Sequence, residues 1–80
     1  MIKAIVNIFL KAGVLDSQGK AVHHALDSLN FDGVDDVRVG KQIILKLDTN
    51  DKSKAMDDVT KMCEDLLANT VIEDYKIELI

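Results

Sequence analysis

The chain has 80 residues, 48% apolar and 30% charged, with 10 basic against 14 acidic side chains and a net charge of −4. That length holds one domain, spanning residues 1–80, and that apolar content excludes a disordered chain, while no apolar run approaches the roughly 20 residues of a membrane span. The acidic balance, the scattered basic residues, and an aromatic set of one Tyr, two Phe and no Trp argue against a nucleic-acid partner, which needs a basic face and stacking rings.

A single cysteine, Cys63, leaves no internal disulfide framework and points to a reducing compartment. Residues 1–5 lack the pattern of a secretion signal, so a cytoplasmic location is expected. Ordering a chain costs about 1.5 kcal/mol per residue, which a domain this small barely offsets with its own core. With no disulfide and no evident metal staple, self-association is the expected remedy.

Ile2, Ala4, Val6, Ile8 and Leu10 alternate with Lys3, Ile5, Asn7, Phe9 and Lys11, which predicts a strand. Ile5 and Phe9 make its second face partly apolar too, so both faces should be covered. A tight corner follows, and Asp16 or Ser17 can cap the helix after it. Ala21, Val22, Ala25, Leu26 and Leu29 form that helix's apolar stripe, with Asn30 as a left-handed terminator, Phe31 folding back and Asp32-Gly33 turning. Val37, Val39, Ile43, Leu45 and Leu47 share one parity across Gly40-Lys41, which predicts two strands joined by a short hairpin. Ile44, on the other parity, joins Ile5 and Phe9 on the face away from the helices.

The residues 49–51 offer caps for a second helix, whose stripe is Ala55, Met56, Val59, Met62, Cys63, Leu66 and Leu67. Asp57 and Lys61 form an exposed i, i+4 pair. Asn69 marks the end, and Tyr75, Ile77 and Leu79 alternate with Lys76, Glu78 and Ile80 in a last strand. The order βαββαβ predicts an α+β ferredoxin-like sandwich, an antiparallel sheet with two helices on one face, dimerising through the sheet.

No catalytic or metal constellation emerges. His23 and His24 diverge by about 100° on a helix and read as a solvated face. Cys63, on the apolar stripe beside Glu64 and Asp65, reads as buried and inert. The pairs Asp35-Asp36, Asp57-Asp58 and Glu73-Asp74 read as solvated surface. Gly13, Gly19, Gly33 and Gly40 lack the spacing of a phosphate loop and serve turns. Ile5, Phe9 and Ile44 make a connected apolar patch with no helix left to cover it, which reads as a self-association face.

The stretch Ile8-Phe9-Leu10-Lys11-Ala12-Gly13-Val14-Leu15-Asp16-Ser17-Gln18-Gly19 resembles the PurS family, the small subunits of phosphoribosylformylglycinamidine (FGAM) synthase in purine biosynthesis. The likeness continues through Ala25-Leu26, Leu29, Val37-Arg38-Val39-Gly40-Lys41, Cys63, Leu66-Leu67-Ala68-Asn69 and Val71-Ile72-Glu73-Asp74-Tyr75. Proline is usual in the family where Ala12 and Ser17 stand, so the corner here has lost two fixed φ angles. The resemblance implies a subunit with no catalytic residues of its own and no cofactor. It implies self-association, and two larger partners: a glutaminase that releases ammonia and an ATP-dependent synthase, carrying ATP and magnesium, that installs it. The small subunit would bridge them and support ammonia transfer, with the corner residues Lys11, Gly13, Asp16, Gln18 and Gly19 open to a larger subunit. Residues 34–48 would be free to exchange strands between protomers. A ligand-sensing regulatory domain of the same βαββαβ plan is the alternative; a metal chaperone lacks its Cys pair in the first loop.

Overall fold

A computed structural model describes residues 1–80. The strand β1, Ile2–Leu10, pairs antiparallel with β2, Lys41–Leu47, on one side and with β3, Glu73–Leu79, on the other. The order is therefore β2-β1-β3. The strand that is apolar on both parities takes the centre, where it has neighbours on both edges. Register aligns the parities across all three strands: Ala4 lies between Leu45 and Leu79, and Val6 between Ile43 and Ile77.

The inner face of this sheet carries the core. Ala4, Val6 and Ile8 pack with Val59, Cys63 and Ala68 from the helical side, and the inward residues of β2 and β3 close round them half-buried. Full burial of side chains such as Val6 and Ile8 contributes about 1.5–3 kcal/mol each. The helix α2, Lys52–Met62, starts at Asp51, whose carboxylate accepts from the Lys54 N–H at 3.2 Å. Its buried residues, Ala55 and Val59, lead into Cys63 at the expected spacing. A single π turn, Cys63–Leu67, follows, closed by the Ala68 N–H donating to the Cys63 carbonyl at 3.0 Å. The five-residue step shifts the helical phase by about one residue's rotation. Ala68 turns inward, and Leu66 is left 82% exposed. Leu66 was expected on the buried stripe; the π turn is why it is not.

The helix α1, Ser17–Ser28, ends as the sequence predicts. Asn30 adopts φ 65°, the Phe31 N–H donates back to the Leu26 carbonyl at 3.1 Å, and the Asn30 N–H to Asp27 at 3.0 Å. This is a Schellman closure, with Asn in the left-handed position. The Phe31 ring itself stays 57% exposed.

The α+β plan, an antiparallel sheet with two helices, is consistent with the ferredoxin-like arrangement, but two elements depart from the predicted form. Residues 34–40 are not a strand, so the sheet has three strands and no hairpin at Gly40-Lys41. The donors that a strand would need are committed elsewhere: the Val39 N–H goes to the Asp16 carboxylate at 2.7 Å and the Val37 N–H to Asp36 at 2.9 Å. Gly40 lies so close to β1 that a Cβ there would sit 2.7 Å from the Ile8 carbonyl oxygen. The segment is thus held against Asp16 and the end of β1 and forms no strand of its own.

The second departure is α1. Of the two helices, α2 makes the substantial contact with the sheet, over β1 and β3; α1 has no comparable contact with any strand and buries Gly19 alone. Ala21, Val22, Ala25 and Leu29 are exposed and Leu26 is half-buried. The result is an elongated chain of 48 × 25 × 14 Å. Its radius of gyration is 16.0 Å, against about 12 Å for a compact domain of this length. At the surface the exposed i, i+4 ion pair is Lys54 with Asp58 at 3.4 Å, rather than Asp57 with Lys61. No helix is long and apolar enough to cross a membrane.

The helix–sheet contact is narrow, so its centre should be sensitive. Val59→Ala is expected to lower the unfolding free energy by about 2 kcal/mol. Asp57→Ala, on the exposed face, should change it by less than about 0.5 kcal/mol. Urea titrations of both variants measure this; equal effects would show that the core lies elsewhere.

Candidate functional site

The corner between β1 and α1 is held by three sets of hydrogen bonds. The Lys11 N–H donates to the Ile72 carbonyl at 2.9 Å, tying the end of β1 to the entry of β3, and the Val14 N–H donates to Lys11 at 2.9 Å to close the turn. Asp16 is the N-cap of α1: one carboxylate oxygen accepts from the Gly19 N–H at 2.8 Å. The other accepts from Val39, 23 residues further along. Arg38 then reaches back, donating to the carbonyls of Lys11 at 3.1 Å, Val14 at 3.3 Å and Leu10 at 3.4 Å.

Asp16 is the one acidic side chain in the interior, 5% exposed. The Val39 N–H and then the Gly19 N–H hold its carboxyl below the usual aspartate value; burial opposes them, and the Arg38 guanidinium adds to the lowering. Gly19 is required here. A Cβ would fall against the Val37 carbonyl oxygen and 2.7 Å from the Asp16 carboxylate.

The other predicted corner residues take different places. Gln18 lines a cavity of about 240 Å³ at the sheet's end with Phe9, Asp16, Val39, Lys41 and Glu73. Gly13 lies in open space with no steric demand on it, beside a cleft of about 350 Å³ that includes Lys20, His23 and Arg38. Lys11 is half-buried and stands 3.9 Å from Asp74. Asp16, Gln18 and Gly19 are thus brought together around the start of α1, while Lys11 and Gly13 flank it.

On the open sheet face, Ile5 and Ile44 are direct cross-strand partners, with Ile44 51% exposed. Phe9 is separated from them by the Asn7–Gln42 row, whose side-chain amides hydrogen bond at 2.9 Å. It belongs instead to the rim of the corner cavity. The open face therefore holds one apolar pair, and Phe9 belongs with the corner.

Arg38 is the residue that sequence reasoning missed. It is the one arginine among ten basic residues, and only arginine presents enough donors on a planar fork to hold three carbonyls at once. That singularity was the available signal. Val39 contributes through its backbone, which no side-chain pattern reveals.

Four titratable groups outside the corner's centre are engaged in structure. Burial first, then the Glu64 charge, pushes the Cys63 thiol up, away from the reactive thiolate. The Tyr75 hydroxyl donates to Glu64 at 2.8 Å, and that bond raises its pKa. His23 donates through Nε2 to the Val34 carbonyl at 2.7 Å, fastening α1 to the segment that follows it. Glu73 accepts from the Asn69 N–H at 2.6 Å and stands 3.9 Å from Lys41. What the corner presents is a fixed shape with carbonyls, a cavity and an exposed amide side chain at its surface.

Comparison with known proteins accounts for the whole chain. The model of the family PurS, phosphoribosylformylglycinamidine (FGAM) synthase, matches residues 3–80. The PurS subunit of Bacillus subtilis FGAM synthase is 50% identical over 80 residues, covering 99% of this chain and 93% of that one. The crystal structure of B. subtilis PurS superposes with a TM-score of 0.88 at 49% identity, covering 100% of this chain and 99% of that one. A chain of the structure of PurLQS from Thermotoga maritima superposes with a TM-score of 0.90 at 30% identity, covering 99% and 96%. The chain belongs to the PurS family.

Two predictions follow from the corner. Because the Asp16 carboxyl is lowered in the folded state, its stabilisation is complete above the unfolded value of about 3.9 and is lost as pH falls through the folded value. Asp16→Asn should therefore lower Tm at pH 7 and flatten the acid limb of a Tm-against-pH curve below about pH 4; a parallel limb would rule out this source. Ser17 occupies the first helical position, where proline's missing N–H leaves nothing unpaired. Ser17→Pro should raise the unfolding free energy by about 0.4–1 kcal/mol, measured by denaturant titration.

Proposed function

We propose that this member of the PurS family is the non-catalytic small subunit of an FGAM synthase in purine biosynthesis, bridging its glutaminase and ATP-dependent synthase subunits. The observation that carries this is the end-to-end match, at 30% identity and a TM-score of 0.90, to a chain seen within PurLQS. The B. subtilis relative, itself a synthase subunit, matches over the same full length. In this assembly the glutaminase frees ammonia, and the synthase, carrying ATP and magnesium, transfers it to formylglycinamide ribonucleotide to give the amidine. The small subunit supports that transfer by holding the two in register, in the cytoplasm.

The geometry supplies surfaces for both roles. The corner, with Lys11, Gly13, Asp16, Gln18 and Gly19, docks a larger subunit; it is braced by Asp16 and Arg38 and so meets a partner without reordering. The open sheet face meets a second copy through Ile5 and Ile44, with Phe9 at its edge. Residues 34–40, free of strand pairing, are available for exchange between protomers. The reading as a ligand-sensing domain has no observation of its own to favour it.

Reconstitution tests this. Mixed with the glutaminase and synthase subunits in glutamine and ADP, the chain should elute with both as one complex. Leaving it out should lower glutamine-dependent amidine formation about tenfold or more while sparing the ammonia-dependent rate. Equal loss of both rates would show that it serves the synthase chemistry itself. Ile44→Asp should weaken self-association about tenfold by sedimentation; an unchanged dissociation constant would remove the open face from the interface.

A further inference from the structure

The cleft of about 350 Å³ beside the corner brings Lys20 of α1 and Arg38 of the following segment to one place. The ion pairs within the chain use Lys11, Lys41 and Lys54. Lys20 and Arg38 thus form none, in a chain with 14 acidic side chains. Two carboxylates border the same cleft. Asp16 is buried, with both oxygens on backbone N–H groups, and Asp36 accepts from the Val37 N–H at 2.9 Å. His23, on the same lining, is engaged with the Val34 carbonyl.

Arg38 is held in place before any partner arrives. Its bonds to the carbonyls of Leu10, Lys11 and Val14 use three of its five N–H donors and leave two free. A surface ion pair gains little because two long side chains must be ordered to make it; here folding has ordered one of them. The approach is open, since nothing stands within 4 Å of a Cβ placed on Gly13. At about 100° per residue, Lys20 and His23 lie on the side of α1 away from Val22, Ala25 and Leu29, so the cleft is separate from the apolar stripe.

We infer that Lys20 and Arg38 receive an Asp or Glu carboxylate of the larger subunit, an inference that rests on the reading of this corner as its docking site. Charge favours that occupant. The chain carries a net −4, so an acidic segment is repelled by most of its surface and attracted at this cleft, which fixes where it lands. Asp16 and Asp36 oppose a doubly charged phosphate more than a singly charged carboxylate.

The test uses the full chain with the glutaminase and synthase subunits, in glutamine and ADP, and reads the dissociation constant of this chain by calorimetry. Lys20→Gln should weaken binding about tenfold and lessen its dependence on salt. Asp36→Asn should tighten binding about threefold, since it removes a competing charge and keeps an acceptor for Val37. A merely structural role for the two side chains would not give effects of opposite sign. If the complex forms and both variants bind as the parent chain does, the carboxylate is overturned while the docking corner stands. If the parent chain forms no complex, the corner reading falls and the inference with it. If inorganic phosphate at about 1 mM saturates the cleft, seen in the amide signals of Gly13 and Lys20, and the complex forms unchanged in its presence, the site holds a free anion and the partner's carboxylate is overturned.

Discussion

The arrangement of this chain rests on one carboxylate. Asp16 accepts from Gly19 within its own helix start and from Val39 across 23 residues, with both oxygens engaged and almost no exposure. A buried anion persists only where donors replace its water, and here two backbone N–H groups do so, with the Arg38 guanidinium nearby. The bond to Val39 prevents residues 34–40 from joining the sheet as a strand. It also sets the direction in which α1 leaves the sheet. The missing fourth strand thus goes with how one aspartate is satisfied, since the Val39 N–H that a strand would use is taken by Asp16.

Much of the fold was legible because its signals are local or periodic. The alternation of residues 2–10 marks the central strand, and Asp16 and Asp51 cap their helices as their position suggests. Asn30 ends α1 in the left-handed region. The departures share another cause: each depends on where a distant group sits. Val37 and Val39 have strand parity, but the Val39 N–H is claimed from outside the segment. Leu66 has helical spacing from Val59 and Cys63, but the π turn adds a residue to the path between them. The α1 stripe is amphipathic as predicted; amphipathicity states that a face needs covering, and does not say by which chain.

The same division applies to the candidate site. Asp16, Gln18 and Gly19 were legible as corner residues, and the structure gathers them. Ile5 and Ile44 were placed on one face by parity, and register makes them neighbours. Phe9 shares their parity, yet the Asn7–Gln42 row separates it from them, because parity fixes the face and leaves the distance along the strand to register. Arg38 acts on carbonyls, and carbonyls have no sequence signature. Contacts of this kind leave no side-chain pattern, which explains why family likeness identifies the chain more readily than any motif.

The absence of a hairpin also governs how this sheet can assemble. Its nearest strand partners in sequence, Ile8 and Lys41, are separated by the whole of α1 and the segment after it, and every β1–β3 pair spans most of the chain. No two neighbouring strands can zip from a short turn. Each pairing must close a long loop before any core contact repays the entropy. Contact order of that kind places the barrier to folding in the search for topology, not in the strength of the finished contacts. The helices, whose hydrogen bonds are local, are then the elements able to form before the sheet exists, and capping by Asp16 and Asp51 supports the folding chain before it supports the folded one.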